Sequence, residues 1–189
     1  MEKPKKYPAF LIMGAIIALD QLTKYLVRLK LPLGDFITVG EKWFGQIFQL
    51  HHLQNTGAAF SLSLPNPMWN RAFFVVVSVF AVVFILWMLS RATNKIQVTA
   101  FGLVLGGAIG NNLIDRLLFG AVTDFISVDI PDIIPGMERF PVFNVADSAI
   151  FIAMCLLIID IIFISGKKSP HKEPETSPDA ETYLPDKEQ

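Results

Sequence analysis

The sequence predicts an all-α membrane protein built on four transmembrane helices, and three observations carry that reading. Apolar residues make up 52% of the 189-residue chain, with a mean hydropathy of +0.48, above the roughly 45–50% of ordinary soluble domains. They are gathered into four runs, about 7–27, 71–89, 96–118 and 144–164, each close to the roughly 20 residues that a helix needs to cross a hydrocarbon core. Basic residues sit near the ends of these runs in a pattern that orients them.

The first run follows Lys3, Lys5 and Lys6, a basic start that also suits a cleaved secretory signal. It is too long for one, carries Asp20, Gln21 and Lys24, and lacks a small-x-small cleavage site, so it reads as a retained helix. With four spans, the first three lysines, Arg91 and Lys95 between runs two and three, and Lys167, Lys168 and Lys172 after run four fall on one side. That side is assigned to the cytoplasm, with both termini, against the weaker counter-signal of Arg28, Lys30, Lys42, Arg71 and Arg139. Segments 30–70 and 119–143 are then extracytoplasmic. The first mixes β-branched and aromatic residues with Gly breaks, which predicts short strands forming a small sheet on the membrane surface. In the second, the prolines of "DFISVDIPDIIP" exclude one continuous helix and leave open a short interfacial helix or a loop. Residues 1–165 form the membrane domain, and the charged, proline-rich stretch 166–189 reads as a disordered cytoplasmic tail.

Several classes are disfavoured. A net charge of −1 and the lack of a basic stripe with interleaved aromatics argue against nucleic acid. Cys155 is the single cysteine, so no internal disulfide forms. With no HExxH pattern or cysteine cluster, neither a metal nor another cofactor is expected. The adjacent His51 and His52 point to opposite faces of a strand and read as surface residues. A Ser/Lys pair of Lys24 with Ser61 or Ser148 lacks any nucleophile-elbow context.

Two carboxylates draw the eye: Asp124 in "FGAVTDFISV" and Asp147 in "PVFNVADSAIF", each at the edge of an apolar run. Alone, Asp124 reads as a loop carboxylate. Asp147 reads equally well as the third residue of a helix capped by Asn144, where a carboxylate meets the positive end of the helix dipole. The topology nevertheless brings both to one outer face, because run three ends there and run four begins there. Two carboxylates a few ångströms apart share a proton and titrate separately. One then takes a proton from water while the other polarises a scissile carbonyl, which is the chemistry of peptide hydrolysis. Further polar residues lie within the spans. Asp20 and Lys24 are four apart on one helix face, Asn112 and Asp115 are three apart with Arg116 adjacent, and all are either functional or ion pairs that bind the bundle. Gly106, Gly107 and Gly110 fit close helix packing.

The stretches "DQLTK", "NTGAAFS", "GGAIGNNLIDRLLFGAVTDFI" and "FNVADSAIF", in that order, resemble the bacterial lipoprotein signal peptidases, also called type II or prolipoprotein signal peptidases. The likeness covers about residues 7–165. It implies an intramembrane aspartyl endopeptidase, sensitive to globomycin, that cuts prolipoproteins just before a diacylglyceryl-modified cysteine. Its fold would be four helices with an extracytoplasmic β-cradle and a short surface helix. The family's catalytic pair falls on Asp124 and Asp147, and its other motif residues on Asp20, Lys24, Asn55, Gly57, Asn112, Arg116 and Asn144, with Asp115 beside them. The small residues Gly57, Ala58 and Ala59 would let backbone approach the substrate. In one place the chain departs from the pattern: "GNNLIDR" holds one residue more than the family's usual spacing. Counting back from Asp-Arg selects Asn112 and counting forward from the glycines selects Asn111; α-helical spacing favours Asn112, which shares a face with Asp115. The expected setting is the bacterial inner membrane, with the active site at its extracytoplasmic face. Prolipoprotein and membrane lipid are the expected partners, and the protein is expected to be a monomer.

Two other classes account for some of these features. A small proton-coupled transporter also carries intramembrane Asp, Lys and Arg, but favours a midplane site and repeated halves, neither of which the sequence offers. An assembly factor would tolerate Asp124→Asn and Asp147→Asn.

Overall fold

The computed structural model describes residues 3–57, 66–130 and 139–165. Its four membrane-spanning helices are α1 (Tyr7–Lys30), α3 (Pro67–Arg91), a composite third span (Lys95–Phe119) and a fourth (Val145–Ile164). A short helix, α2 (Glu41–Phe44), and strands β1 (Phe36–Thr38) and β2 (Phe48–Asn55) lie between α1 and α3. The third span comprises α4 (Lys95–Ala108), a π-helical segment (Ile109–Asp115) and the single turn α5 (Arg116–Phe119). Strand β3 (Val122–Val128) follows it, and the fourth span is α6 (Val145–Ile159) continued by a second π segment (Asp160–Ser165).

Helix starts follow local chemistry. Asn66 accepts from the backbone N–H groups of Met68 and Trp69 ahead of α3, with Pro67 at the first helical position, and Asn94 accepts from Gln97 N at the start of α4. Asn144 and Asp147 form a reciprocal capping box at the start of α6. The third span is the centre of the bundle. More than half of its hydrophobic window is buried, at 56%, against 11–17% for the other three. Glycines make this possible: a Cβ on Gly106 would lie 2.7 Å from Ile16 Cβ of α1, and one on Gly107 2.6 Å from the Ala146 carbonyl of α6. Helices in lipid gain little from hydrophobic exclusion, so such backbone-level contact is what holds them together. The outward faces remain apolar, as Phe73, Phe80, Val83 and Phe84 of α3 illustrate.

Outside the spans the three strands form an antiparallel sheet in the order β1-β2-β3. Leu53 of β2 faces Asp124 of β3, and the register slips between Leu50 and Leu53. Segment 119–143, expected to hold a short helix or a loop, thus supplies a strand, and its residues 131–138 lie outside the described residues. Ala58 and Ala59 and the tail 166–189 do too. His52 departs from the expected surface position: it is buried, and its Nδ1–H donates to the Leu31 carbonyl at 2.7 Å. The backbone irregularity at the bulge turns this imidazole inward toward the end of α1.

Candidate active site

Asp124 lies on β3 directly after the third span, and Asp147 lies in the first turn of α6. Asn144 joins them. Its Nδ2 donates to Asp124 Oδ1 at 2.7 Å and to the Thr123 carbonyl at 3.3 Å, while its Oδ1 accepts from Asp147 N at 3.0 Å. Asp147 returns the contact, with Oδ2 accepting from Asn144 N at 3.1 Å. Asp147 is therefore a capping residue and a neighbour of Asp124 at once, so the two readings of it do not compete. Its second oxygen, Oδ1, accepts from Asn111 Nδ2 at 2.7 Å. Asp124 is 6% exposed. Burial, and next the charge of Asp147, push its carboxyl from the ordinary 3.8 up to about 6; the amides of Asn144 and Asn55 and the charge of Lys24 oppose this only in part.

Beneath the pair lies a fully buried ion triad. Lys24 Nζ is 2.8 Å from Asp20 Oδ2 and 2.8 Å from Asp115 Oδ2, and it donates to Asn111 Oδ1 at 2.5 Å. Buried charges persist only when paired and hydrogen-bonded throughout, and these are. The two carboxylates use their remaining capacity in parallel ways. Asp20 Oδ1 accepts from Ala146 N at 3.0 Å, and Asp115 Oδ2 accepts from Thr123 N at 3.2 Å. Each thus holds the backbone amide of the residue just before Asp147 or Asp124. Gln21 Nε2 bridges the triad from above, reaching Asp115 Oδ1 at 2.9 Å and Asp20 Oδ2 at 3.1 Å. In the sequence Gln21 counts only against a cleaved signal and has no place in the site; its place between Asp20 and Lys24 in a largely apolar helix is the signal that marks it.

A second chain of contacts approaches Asp124 from the other side. Arg116 donates to the carbonyls of Gly57 (2.5 Å) and Thr56 (3.0 Å), and its guanidinium lies 4.2 Å from the centre of the Phe74 ring. Gly57 N donates to Asn55 Oδ1 at 3.0 Å, and Asn55 Nδ2 points at Asp124 Oδ2 at 3.4 Å. Arg28 completes the clamp, donating to Thr123 Oγ1 at 2.9 Å.

The two asparagines of "GNNLIDR" have different partners. Asn111 is buried and stands between Lys24 and Asp147, whereas Asn112 accepts from Arg116 Nε at 3.3 Å. It is therefore Asn111, and not Asn112 as α-helical counting suggests, that touches the aspartate pair. The π segment spans this stretch. Its i→i+5 bonding takes up one residue more per turn than an α-helix would, so the additional residue is absorbed while Gly106 and Gly107 on one side and Asp115 and Arg116 on the other keep their contacts.

This geometry can be set beside known proteins. Residues 12–163 match the family described as signal peptidase (SPase) II. The chain belongs to the signal peptidase II family. It is 41% identical over 161 residues to the lipoprotein signal peptidase of Shouchella clausii, covering 84% of this chain and 95% of that protein. To the lipoprotein signal peptidase of Bacillus subtilis it is 38% identical over 161 residues, covering 84% and 96%. Among solved structures it is similar to a bacterial membrane enzyme determined by the in meso method at 2.3 Å resolution, with a TM-score of 0.73, 28% identity, and coverage of 91% of this chain and 97% of that one. As a signal peptidase II, the protein is a multi-pass membrane aspartic peptidase that processes lipoproteins. The transporter and assembly-factor alternatives fall with that assignment.

Proposed function

We propose that Asp124 and Asp147 are the catalytic pair with which this signal peptidase II removes the signal peptide from diacylglyceryl-modified prolipoproteins, cutting just before the modified cysteine. The observation that carries this reading is the shared Asn144, which hydrogen-bonds both carboxyl groups at the mouth of the bundle. Asp124, raised to about 6, is assigned the shared proton. Water adds to the scissile carbonyl carbon and gives its proton to Asp147, while Asp124 donates to the carbonyl oxygen. As the tetrahedral species collapses, one of its hydroxyls returns a proton to Asp124, the C–N bond breaks, and the leaving amine takes the proton held by Asp147. Lys24, Asp20 and Asp115 position the two aspartates through the amides of Ala146 and Thr123, Asn111 orients Asp147, and Arg116 with Gly57 and Asn55 orients Asp124. Asn112 acts one step further away, by holding Arg116.

A signal peptide is itself an apolar helix, so its cleavage site arrives where a span leaves the bilayer, and the pair occupies such a boundary. The lysine distribution supports both termini in the cytoplasm and the pair at the extracytoplasmic face of the inner membrane. Residues 1–165 constitute the peptidase, with 166–189 dispensable, and it acts as a monomer. The test is turnover of a diacylglyceryl-modified prolipoprotein by purified protein. Cleavage should be blocked by globomycin and absent in Asp124→Asn and in Asp147→Asn, with both variants folded. Substantial activity in either variant would remove the pair from the chemistry.

A further inference from the structure

The opposite end of the bundle carries a site of another kind. Lys3, Lys5 and Lys95 converge on a cavity of about 520 Å³ also lined by Tyr7, Val98 and Thr99, a size within the roughly 300–1,000 Å³ of small-ligand sites. The basic segment is fixed in place, because Lys6 Nζ donates to the Ala92 carbonyl at the end of α3. Stretches 3–6 and 91–99 contain no Asp or Glu. Among the described residues none of the three cavity lysines takes part in an ion pair. Lys6, close beside them, has its ammonium disfavoured by burial and by the charge of Lys3, and the carboxylate at this end, Asp160, holds the amides of Asn94 and Gln97 rather than any of the cavity lysines among the described residues. The outer end differs: Arg28, Arg71, Arg116 and Arg139 all donate to oxygens of the protein itself.

We propose that this cavity binds the phosphate headgroup of an anionic phospholipid in the leaflet that this end faces. The site stands at the ends of α1, α3 and α4, where headgroups lie, and the exposed Phe10 and Leu11 of α1 offer an apolar path for the acyl chains. Basic pockets between helix ends bind such headgroups through ammonium–phosphate contacts. The chain's own tail is a poorer occupant, because after Ser165 it continues with Lys167 and Lys168 and has its first carboxylate only at Glu173. That the leaflet is the cytoplasmic one rests on the orientation proposed above; the site itself does not.

The experiment measures lipid retention by native mass spectrometry of the full chain in detergent, so a wrong orientation or a wrong catalytic pair would leave its result unchanged. Dioctanoyl phosphatidylglycerol should bind at least tenfold tighter than dioctanoyl phosphatidylcholine. The variant K3Q/K5Q/K95Q should lose on the order of a hundredfold in affinity, and Lys95→Gln alone about fivefold. K3R/K5R/K95R should retain binding, as should K167Q/K168Q/K172Q, which removes the same charge from the same end. Equal weakening by the tail variant would mean diffuse attraction and would overturn the site. So would equal binding of the two lipids, saturation by inorganic phosphate at the same concentration as by phosphatidylglycerol, or a large gain in affinity on deleting 166–189.

Discussion

Two buried carboxylates at opposite ends of the bundle look alike at first. Asp160 is 2% exposed and accepts from Asn94 Nδ2 at 2.5 Å and Gln97 Nε2 at 2.6 Å. Asp124 is 6% exposed and takes hydrogen bonds from Asn144 and Asn55. Each is a carboxylate in a nearly dry site, held by side-chain amides. They differ in what their described contacts join. Asp160 fastens the end of α6 to the capped start of α4, a join between two helices. Asp124 lies near a second carboxylate, and the residue just before each of the two is held by a charged triad. Burial with amide donors is thus a general way to keep a carboxylate inside a membrane protein; the approach of a like charge adds to burial in raising the Asp124 carboxyl.

Substitutions can test that contrast. The largest difference should come from exchanging aspartate for asparagine at each end. Turnover of lipid-modified substrate should fall by at least about a thousandfold in Asp124→Asn or Asp147→Asn, and the double variant should be hardly worse than either, as the proposed joint action of the two requires. Asp160→Asn should keep turnover within about twofold and lower the melting temperature, since one amide donor then faces another; the expected cost is about 1–3 kcal/mol.

Next in size is the triad. Lys24→Met would leave Asp20 and Asp115 buried without their shared cation, a loss of about 3–5 kcal/mol, and would free the amides before both aspartates. Thermal unfolding and turnover should both decline. Retention of full activity at reduced stability would show that the triad does not position the pair.

The two asparagines should separate more finely. Asn111→Ala removes direct contacts to Asp147 and Lys24 and should lower kcat by about 10–100-fold, in the range of lost orienting interactions. Asn112→Ala loosens only Arg116 and should cost less than about tenfold. Equal effects in the two variants would count against the π-helical register as the cause.

The smallest effect is on pH dependence. A carboxyl whose folded value lies near 6 rather than 3.8 favours the fold while protonated. Its contribution is complete below about 3.8 and is lost as the pH rises through about 6. Asp124→Asn removes that loss but sets its own amide against those of Asn144 and Asn55, so the stability of the variant relative to the parent should be higher at pH 7 than near pH 3.5, by about 1–3 kcal/mol. Melting temperatures of both proteins at the two pH values check the sign; a variant that loses ground to the parent between pH 3.5 and pH 7 would contradict it.

Much was legible before any fold. Spans, retained first helix and surface strands follow from hydropathy, length and β-branched composition, because bilayer thickness and backbone hydrogen bonding leave few solutions for such a chain. Asp20 and Lys24 are paired by helical spacing alone, and Asn144 announces a helix start by its residue type. By itself the sequence also placed Asp124 and Asp147 at one membrane face, through the order of the spans. Only the tertiary structure decided which amide each buried carboxylate would hold, since Ala146 and Thr123 meet Asp20 and Asp115 across separations of 126 and 8 residues that no local pattern encodes. It also decided between Asn111 and Asn112, because an α-helix and a π-helix of the same residues present different faces. The fixed points on either side are tertiary: Gly106 and Gly107 are pressed against α1 and α6, Asp115 is tied to Lys24, and the stretch between them runs as the wider π-helical turn.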